Sequence, residues 1–309
     1  MTTVAVAAGS ATCPVERRRI VLGSVAALAA VLITGIYPAL TRLSIATNTL
    51  SPADLLLFRF GVSGLLFAPL LVRRARQIPP AQWLAAIPLS LLQGWGMGAC
   101  VIFGLQFAPA SHAAALGPGA IAAWIALIGF IAHGVRIRPR KIVGICAIIA
   151  GAALVLFGSY QGLSLSTAML GDGMFLLASA MGATYLIEVQ RRRLDPVVAA
   201  ALVCVASAIV VVPWHSASAT SAIATAPARE IVGQVVLQGV LIGCCALVAL
   251  NYATRTIGSQ TVGVLSALVP VIGAACSTVA TGEAISIPEW AAIGAISAGV
   301  ALASRGGAR

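Results

Sequence analysis

Charge is what this sequence most lacks. Only 9% of its 309 residues are Asp, Glu, Lys or Arg, against about 25% in a soluble domain. Eight residues are acidic, and Lys141 is the single lysine. So few charges cannot cover a water-facing surface, which argues against a soluble enzyme. The 60% apolar content excludes intrinsic disorder. Signatures of chemistry are missing too. There is no HExxH, GxSxG or Walker A pattern. His112, His133 and His215 are scattered, and the seven cysteines form no C-x-x-C pair. The cysteines read as small apolar filler. No catalytic residue, metal site or cofactor is expected.

What fills the chain is long apolar runs. A bilayer core takes about 20 apolar residues per helix. Ten runs fit: 20–43, 53–72, 82–107, 111–133, 141–158, 170–190, 196–214, 231–253, 260–281 and 288–304. The expected fold is an all-α polytopic membrane protein with no separate soluble domain. Ser216 to Glu230 reads as a Ser/Ala/Thr-rich loop. The run after Arg17-Arg18-Arg19 is longer than a signal-peptide core and lacks a clean A-x-A exit, so it is read as a retained helix.

The net charge of +11 could suggest nucleic acid, but position says otherwise. Sixteen of the nineteen basic residues lie before span 1 or after spans 2, 4, 6, 8 and 10; Arg229 alone lies in the opposite loops, and Arg42 and Arg59 lie inside spans. Cytoplasmic loops collect Lys and Arg, so both termini are expected in the cytoplasm. No motif or aromatic–basic interleaving supports nucleic-acid binding. The partners expected are membrane lipid and a small-molecule substrate, with the chain a monomer.

The chain is also a duplication. At a shift of 148, Gly23, Leu28, Ala30 and Tyr37 meet Gly171, Leu176, Ala178 and Tyr185. At a shift of 145, Leu92-Gln93-Gly94 and Gly98 meet Leu237-Gln238-Gly239 and Gly243. Pro52 pairs with Pro196. The expected division is a tail (1–19), a first five-helix repeat (20–158), an external loop (159–169), a second repeat (170–304) and a tail (305–309). Five spans per repeat force the second to enter the membrane inverted. Inverted repeats characterise secondary transporters, in which two like units exchange conformations.

The few polar residues inside the spans are the site candidates. Arg59 and Glu188 are read as either structural charges or groups for substrate and coupling; for Glu188 the alternative is a helix-end ion pair with Arg191 and Arg192. Gln93 and Gln238 either bridge helices or face a polar substrate. Trp95 and Trp124 lie well inside their spans, as core filler or cavity wall. Tyr37 and Tyr185 are candidates for a paired gate. Pro118 and Pro270 are expected to interrupt spans 4 and 9, although they are four residues out of register; interrupted segments in both halves point to a transporter site. Trp83, Trp214 and Trp290 fit interfacial belts.

The plan resembles the drug/metabolite transporter superfamily, EamA-type branch. The stretch L-S-P-A-D-L-L-L-F-R-F carries Pro52 and Arg59, and L-V-P-V-I-G-A-A-C-S-T-V-A-T-G-E ends in Glu283, followed by a Gly/Ala-rich last helix around Ile293-Gly294 and Ala298-Gly299. The likeness runs from residue 20 to 304. The first repeat departs from it, with Val135 where the second has Glu283. The resemblance implies a central cavity lined by spans 1, 3, 4, 6, 8 and 9, and export of amino acids or related metabolites across a bacterial inner membrane. Within the branch the chain is similar to YddG-type exporters of aromatic and other apolar amino acids. Multidrug or other metabolite export is the alternative. The absence of any lysine deep within a span disfavours phosphorylated cargo, and a first span without carboxylate disfavours the small multidrug design. A channel or a membrane-embedded enzyme is the reading from another class.

Overall fold

The structure is a computed structural model describing residues 14–134, 139–158, 165–218, 220–282 and 285–304. The outer parts of both tails, most of the 159–169 loop, Val135 and Glu283 lie outside the described residues. Ten helices are long and apolar enough to cross a membrane: α1 (Glu16–Ala46), α2 (Pro52–Gln77), α3 (Pro80–Gly104), α4 (Ala110–Ile131), α5 (Pro139–Leu156), α6 (Ser166–Arg191), α7 (Pro196–Ala217), α8 (Ala228–Gly258), α9 (Thr261–Thr281) and α10 (Ile287–Ser304). Ten crossings return both ends of the chain to one side.

The bundle is inside out relative to a soluble domain. Leu65, Val279 and Ile287 are 74%, 88% and 86% exposed, while Asp54, Asp172 and Gln238 are fully buried. In hydrocarbon the apolar side chains lose nothing outside, and polar groups must find partners within. Trp83, Trp214 and Trp290 keep part of their surface exposed near span ends, where an amphipathic ring is at home.

The packing shows the duplication directly. Exchanging each span with the one five places on maps most of the helix contacts onto one another, with α4–α10 and α1–α4 the main exceptions. α1 packs on α9 as α6 does on α4; α1 packs on α8 as α6 does on α3; α2 packs on α8 as α7 does on α3. α2–α7, α4–α9 and α5–α10 are contacts between mates. Mates are five crossings apart and therefore run in opposite directions.

Small residues set the closest approaches. A Cβ on Gly144 would lie 2.7 Å from the Gly299 carbonyl oxygen, and one on Gly299 would lie 2.6 Å from that of Gly144. This reciprocal contact lets α5 and α10 touch backbone to backbone.

Three spans are deformed in the middle. α3 breaks at Gly94, where the Trp95 N–H turns to the Ser207 hydroxyl of α7 at 3.1 Å. That hydroxyl occupies the place of a Cβ at Gly94, so only glycine fits. In the repeat mate α8 the helix instead widens to a π-helix over Val235–Ala246, packed on a π-helical turn of α2, Phe58–Val62. α9 breaks at Ala267–Leu268 and resumes at Val269–Thr281, with Pro270 in its first turn. Pro118 differs from the sequence expectation: the helix of α4 runs unbroken over Ala110–His133. Membrane helices accommodate such prolines when neighbouring groups take up the freed carbonyl. At the α4–α9 crossing, a Cβ on Gly119 would lie 3.9 Å from Pro270 Cγ.

At the end bearing the termini, Asp195 caps α7. Its Oδ1 accepts the N–H groups of Val197 and Val198 at 3.0 and 3.1 Å, and Arg255 lies 2.8 Å from Oδ2. Burial pushes this carboxyl up, but the Val198 N–H, the Arg255 guanidinium and the Val197 N–H outweigh it and hold it below its ordinary value.

Two outcomes follow. Gly299→Val should cost about 1–3 kcal/mol by overpacking and lower the melting temperature in detergent, whereas Gly294→Val, with open space at its Cβ, should not. Asp195→Ala should cost about 1 kcal/mol at neutral pH. Because the folded carboxyl is depressed, that gap should persist above the ordinary Asp range near about 4 and close as pH falls below it.

Candidate functional site

Three polar clusters lie at the end of the bundle opposite the termini. The first joins α2 to α7 and the loop after it. Asp54 caps its own helix, taking the N–H and hydroxyl of Ser51 at 3.0 and 2.8 Å. The same carboxylate is met by His215 Nε2 at 2.8 Å, the Ser221 hydroxyl at 2.8 Å and the Ala222 N–H at 2.9 Å. The Ser221 hydroxyl binds the carboxylate rather than the imidazole, so this is not a nucleophile–base pair. It is a clasp holding the α7–α8 loop. Beside it opens a cavity of about 450 Å³ bordered by Asn48, Ser51, Phe103, Gln106 and Trp214.

The second cluster runs inward along α8, one residue per turn. Glu230 meets the Ser44 hydroxyl of α1. Gln234 donates to Ser44 Oγ at 2.8 Å and to the Leu40 carbonyl at 3.1 Å. Gln238 donates to Thr41 Oγ1 at 2.9 Å, and Thr41 in turn donates to the Tyr37 carbonyl at 2.7 Å. Gln238 Oε1 is buried and has no donor among the described residues. The seam ends at Arg59, whose Nη1 donates to Tyr37 Oη at 2.9 Å and whose guanidinium lies 5.2 Å from the Tyr37 ring centroid and 5.5 Å from that of Phe60.

Arg59 sits in the π-helical turn of α2, half-buried. Among the described residues no carboxylate lies within 4.0 Å of it. Its cation is held by a phenol and two ring faces, which leaves the planar fork open to an anion.

The third cluster is His112 of α4 between Asp172 of α6 and Glu289 of α10, with ring nitrogens 2.9 and 3.3 Å from the two carboxylates.

The sequence candidates divide accordingly. Tyr37, Arg59 and Gln238 come together. Tyr185 lies elsewhere, in an apolar cluster with Ala85, Leu89 and Val203. Under the Pro52–Pro196 pairing Val203 is the repeat mate of Arg59, so the two tyrosines sit in corresponding places but only one has a cation. Gln93 faces α6, its Oε1 3.6 Å from the Cβ position of Gly182. Trp95 follows the α3 break and packs on the main core, and Trp124 is half-buried midway along α4. Glu188 pairs with Arg191 and Arg192 at 3.3 and 2.9 Å, near the membrane end of α6.

Asp54, Asp172, Glu289 and His112 were not singled out by sequence. Each lies in the first turns of a span, where a charged side chain reads as a helix-end residue. The histidine–carboxylate partners are 60 to 177 positions apart. The usable signal was that three of only eight acidic residues begin apolar runs, and intramembrane carboxylates are functional candidates by default.

The comparisons agree with this architecture. The EamA-like transporter family matches residues 21–157 and again residues 169–305. The chain belongs to the EamA-like transporter family. A crystal structure of another protein superposes with a TM-score of 0.60 at 19% identity, covering 93% of this chain and 95% of that one, a likeness of fold alone. No curated protein matches the sequence. This EamA-family chain is thus a multi-pass membrane transporter, in keeping with its two-repeat bundle.

The clasp is open to test. Asp54→Ala strips a buried carboxylate from five donors and should cost about 3 kcal/mol, read as a lower melting temperature in detergent. An unchanged melt would show that the α7–α8 loop is held by other contacts.

Proposed function

We propose that the protein is a bacterial inner-membrane exporter of amino acids, aromatic and apolar ones favoured, working by alternating access with both termini in the cytoplasm. The observation that carries the substrate class is the guanidinium of Arg59. It is deep enough in α2 that an unpaired charge is costly there, yet no protein carboxylate faces it among the described residues. A carboxylate on the cargo is the complementary partner, gripped in a bidentate fork with Tyr37 holding the fork in place. Gln238 brings an amide oxygen without a donor, suited to a cargo ammonium. The Phe60 ring beside the guanidinium suits an uncharged side chain. The orientation rests on the sixteen basic residues at or beyond the span ends on one side.

Alternating access is supported by the exchange symmetry of the helix contacts. If one repeat can adopt the packing of the other, the closed end becomes the open one. The hydrogen-bonded seam of α1 and α8 closes the end opposite the termini. Its amides and hydroxyls are interchangeable donors and acceptors, which can pair with water once the helices part.

Counterflow in proteoliposomes tests the reading. Labelled phenylalanine, threonine and methionine should show saturable exchange, while a quaternary amine, lacking a carboxylate, should not. Arg59→Gln should weaken apparent substrate affinity by about ten- to a hundredfold, the worth of one charge-assisted hydrogen bond of about 1.5–3 kcal/mol. Exchange of the amine but not the amino acids would turn the assignment to multidrug export.

A further inference from the structure

The cavity beside the Asp54 clasp has no part in the α1–α8 seam or in the Arg59 fork. Its volume is about 450 Å³, inside the roughly 300–1,000 Å³ range of small-molecule sites. Asn48 and Pro52 of the α1–α2 turn, Phe103 and Gln106 around the end of α3, Trp214 of α7 and Ala222 of the loop after it border the space. Phe103 and Trp214 meet edge to face, with ring centroids 6.4 Å apart and planes at 69°. A place in the interfacial belt explains a tryptophan at this depth. It does not explain the second ring, or the cavity that both rings border.

The lining has a definite chemistry. None of the described residues that border the cavity is ionisable. Asp54, next in sequence to the lining residue Ala53, is fully buried and has its carboxylate engaged by the clasp. The side-chain amides of Asn48 and Gln106 are exposed and make no hydrogen bond to another described residue. Each brings an N–H₂ donor group and a carbonyl acceptor. Two rings and two open amides without a fixed charge match an uncharged ligand that has an aromatic ring and its own amide or hydroxyl groups. A charged ligand would find no counterion there. A plain hydrocarbon chain would displace water from both amides and return no hydrogen bond.

The duplication provides an internal comparison. At the shift of 145 the mates of Phe103 and Gln106 are Val248 and Asn251, and under the Pro52–Pro196 pairing the mate of Trp214 is Leu70. At the end bearing the termini, Asn251 donates to the Pro196 carbonyl at 3.1 Å. There the amide closes directly on the equivalent of Pro52. At the opposite end Gln106 and Pro52 are not bonded, and both border the cavity. The ring pair and the open amide therefore belong to one end alone, and the packing of a five-helix unit does not impose them.

We propose that this cavity is a second ligand site, for an uncharged aromatic molecule bearing amide or hydroxyl groups, entered from the side opposite the termini. The ligand ring packs on Trp214 and Phe103, and Asn48 and Gln106 take its polar groups. The site is separate from Arg59, which lies seven residues, or about 10 Å of helix, farther along α2 than Pro52. Its walls come from α1, α2 and α3 of the first repeat and from α7 and the α7–α8 loop of the second. An occupant therefore bridges the repeats and favours the conformation in which these walls stand together.

The site does not rest on the exporter reading, and the test keeps the two apart. The probe is N-acetyl-phenylalanine amide, which has the ring and two amides but no carboxylate for Arg59. Equilibrium dialysis against the purified full-length protein in detergent should show saturable binding. Trp214→Ala should weaken it by about two- to tenfold, as the loss of one aromatic contact does. Gln106→Ala, at an exposed residue without a described partner, should melt as the wild type does and weaken binding severalfold. Arg59→Gln should bind as the wild type does. A wild type without saturable binding overturns the site, as does wild-type affinity in both Trp214→Ala and Gln106→Ala. Loss of binding in Arg59→Gln places the probe at Arg59 and overturns a second site. Phenylalanine amide, cationic at mildly acidic pH, should bind severalfold more weakly, and equal affinity overturns the uncharged class. Displacement of the probe by a lysophospholipid below its micellar concentration gives the cavity to lipid and overturns the assignment. Because the probe has no carboxylate, each of these results stands whether or not labelled phenylalanine exchanges.

Discussion

A chain in hydrocarbon has no water to receive its polar groups, and most of this structure follows from that constraint. The backbone must be helical almost everywhere. Where it is not, a side chain steps in, as Ser207 does for the Trp95 N–H at the α3 break. The side chains invert their usual placement, with leucine and valine facing outward and Asp54, Gln234, Gln238 and His112 inward. Every buried polar group must then be near another, so polar residues far apart in sequence collect into a few clusters. The scarcity of charge and the clustering of what charge exists have the same cause.

The fold was largely legible because lipid leaves few alternatives. An apolar run of about 20 residues can only span, and the ends read from the sequence fall within a few residues of those observed. The inverted repeat could be read from Gln93-Gly94 and Gln238-Gly239 because tight helix crossings restrict which residues fit there. What those residues do locally could not be read. The same Gln-Gly pair accompanies a broken helix in α3 and a π-helix in α8, since the outcome depends on whether a serine or a valine stands opposite. Pro118 and Pro270 show the same limit. One lies within a continuous helix and the other begins one.

The site was legible only where it is local in the bundle's symmetry. Tyr37, Arg59 and Gln238 stood out as rare polar residues deep within spans, and hydrogen bonds through Thr41 link them. The His112 and Asp54 clusters join residues whose individual positions resemble helix caps. Asp54 really is a cap, through Ser51, and Glu289 meets Ser286 in the same way. Capping explains one face of each carboxylate and hides the histidine on the other. Glu188, by contrast, was visible with its arginines because i,i+3 and i,i+4 partners can be read along one helix.

The inverted repeat gives most helix contacts a counterpart elsewhere in the bundle, but the two repeats are not alike in chemistry. Here the departures from symmetry are concentrated in ionisable residues. Arg59 faces Tyr37 where Val203 faces Tyr185, and His112, Asp172 and Glu289 correspond to Gln260, Ser24 and Lys141. The apolar scaffold, by comparison, keeps most of its contacts under the exchange, with α4 on α10 and α1 on α4 the main exceptions. The scaffold supplies two repeats related by rotation, and a handful of charges makes the two ends of the bundle chemically different. Because a charge buried in lipid changes energy by several kcal/mol, few are required, and a chain with only 9% charged residues still has enough to distinguish one end of the bundle from the other.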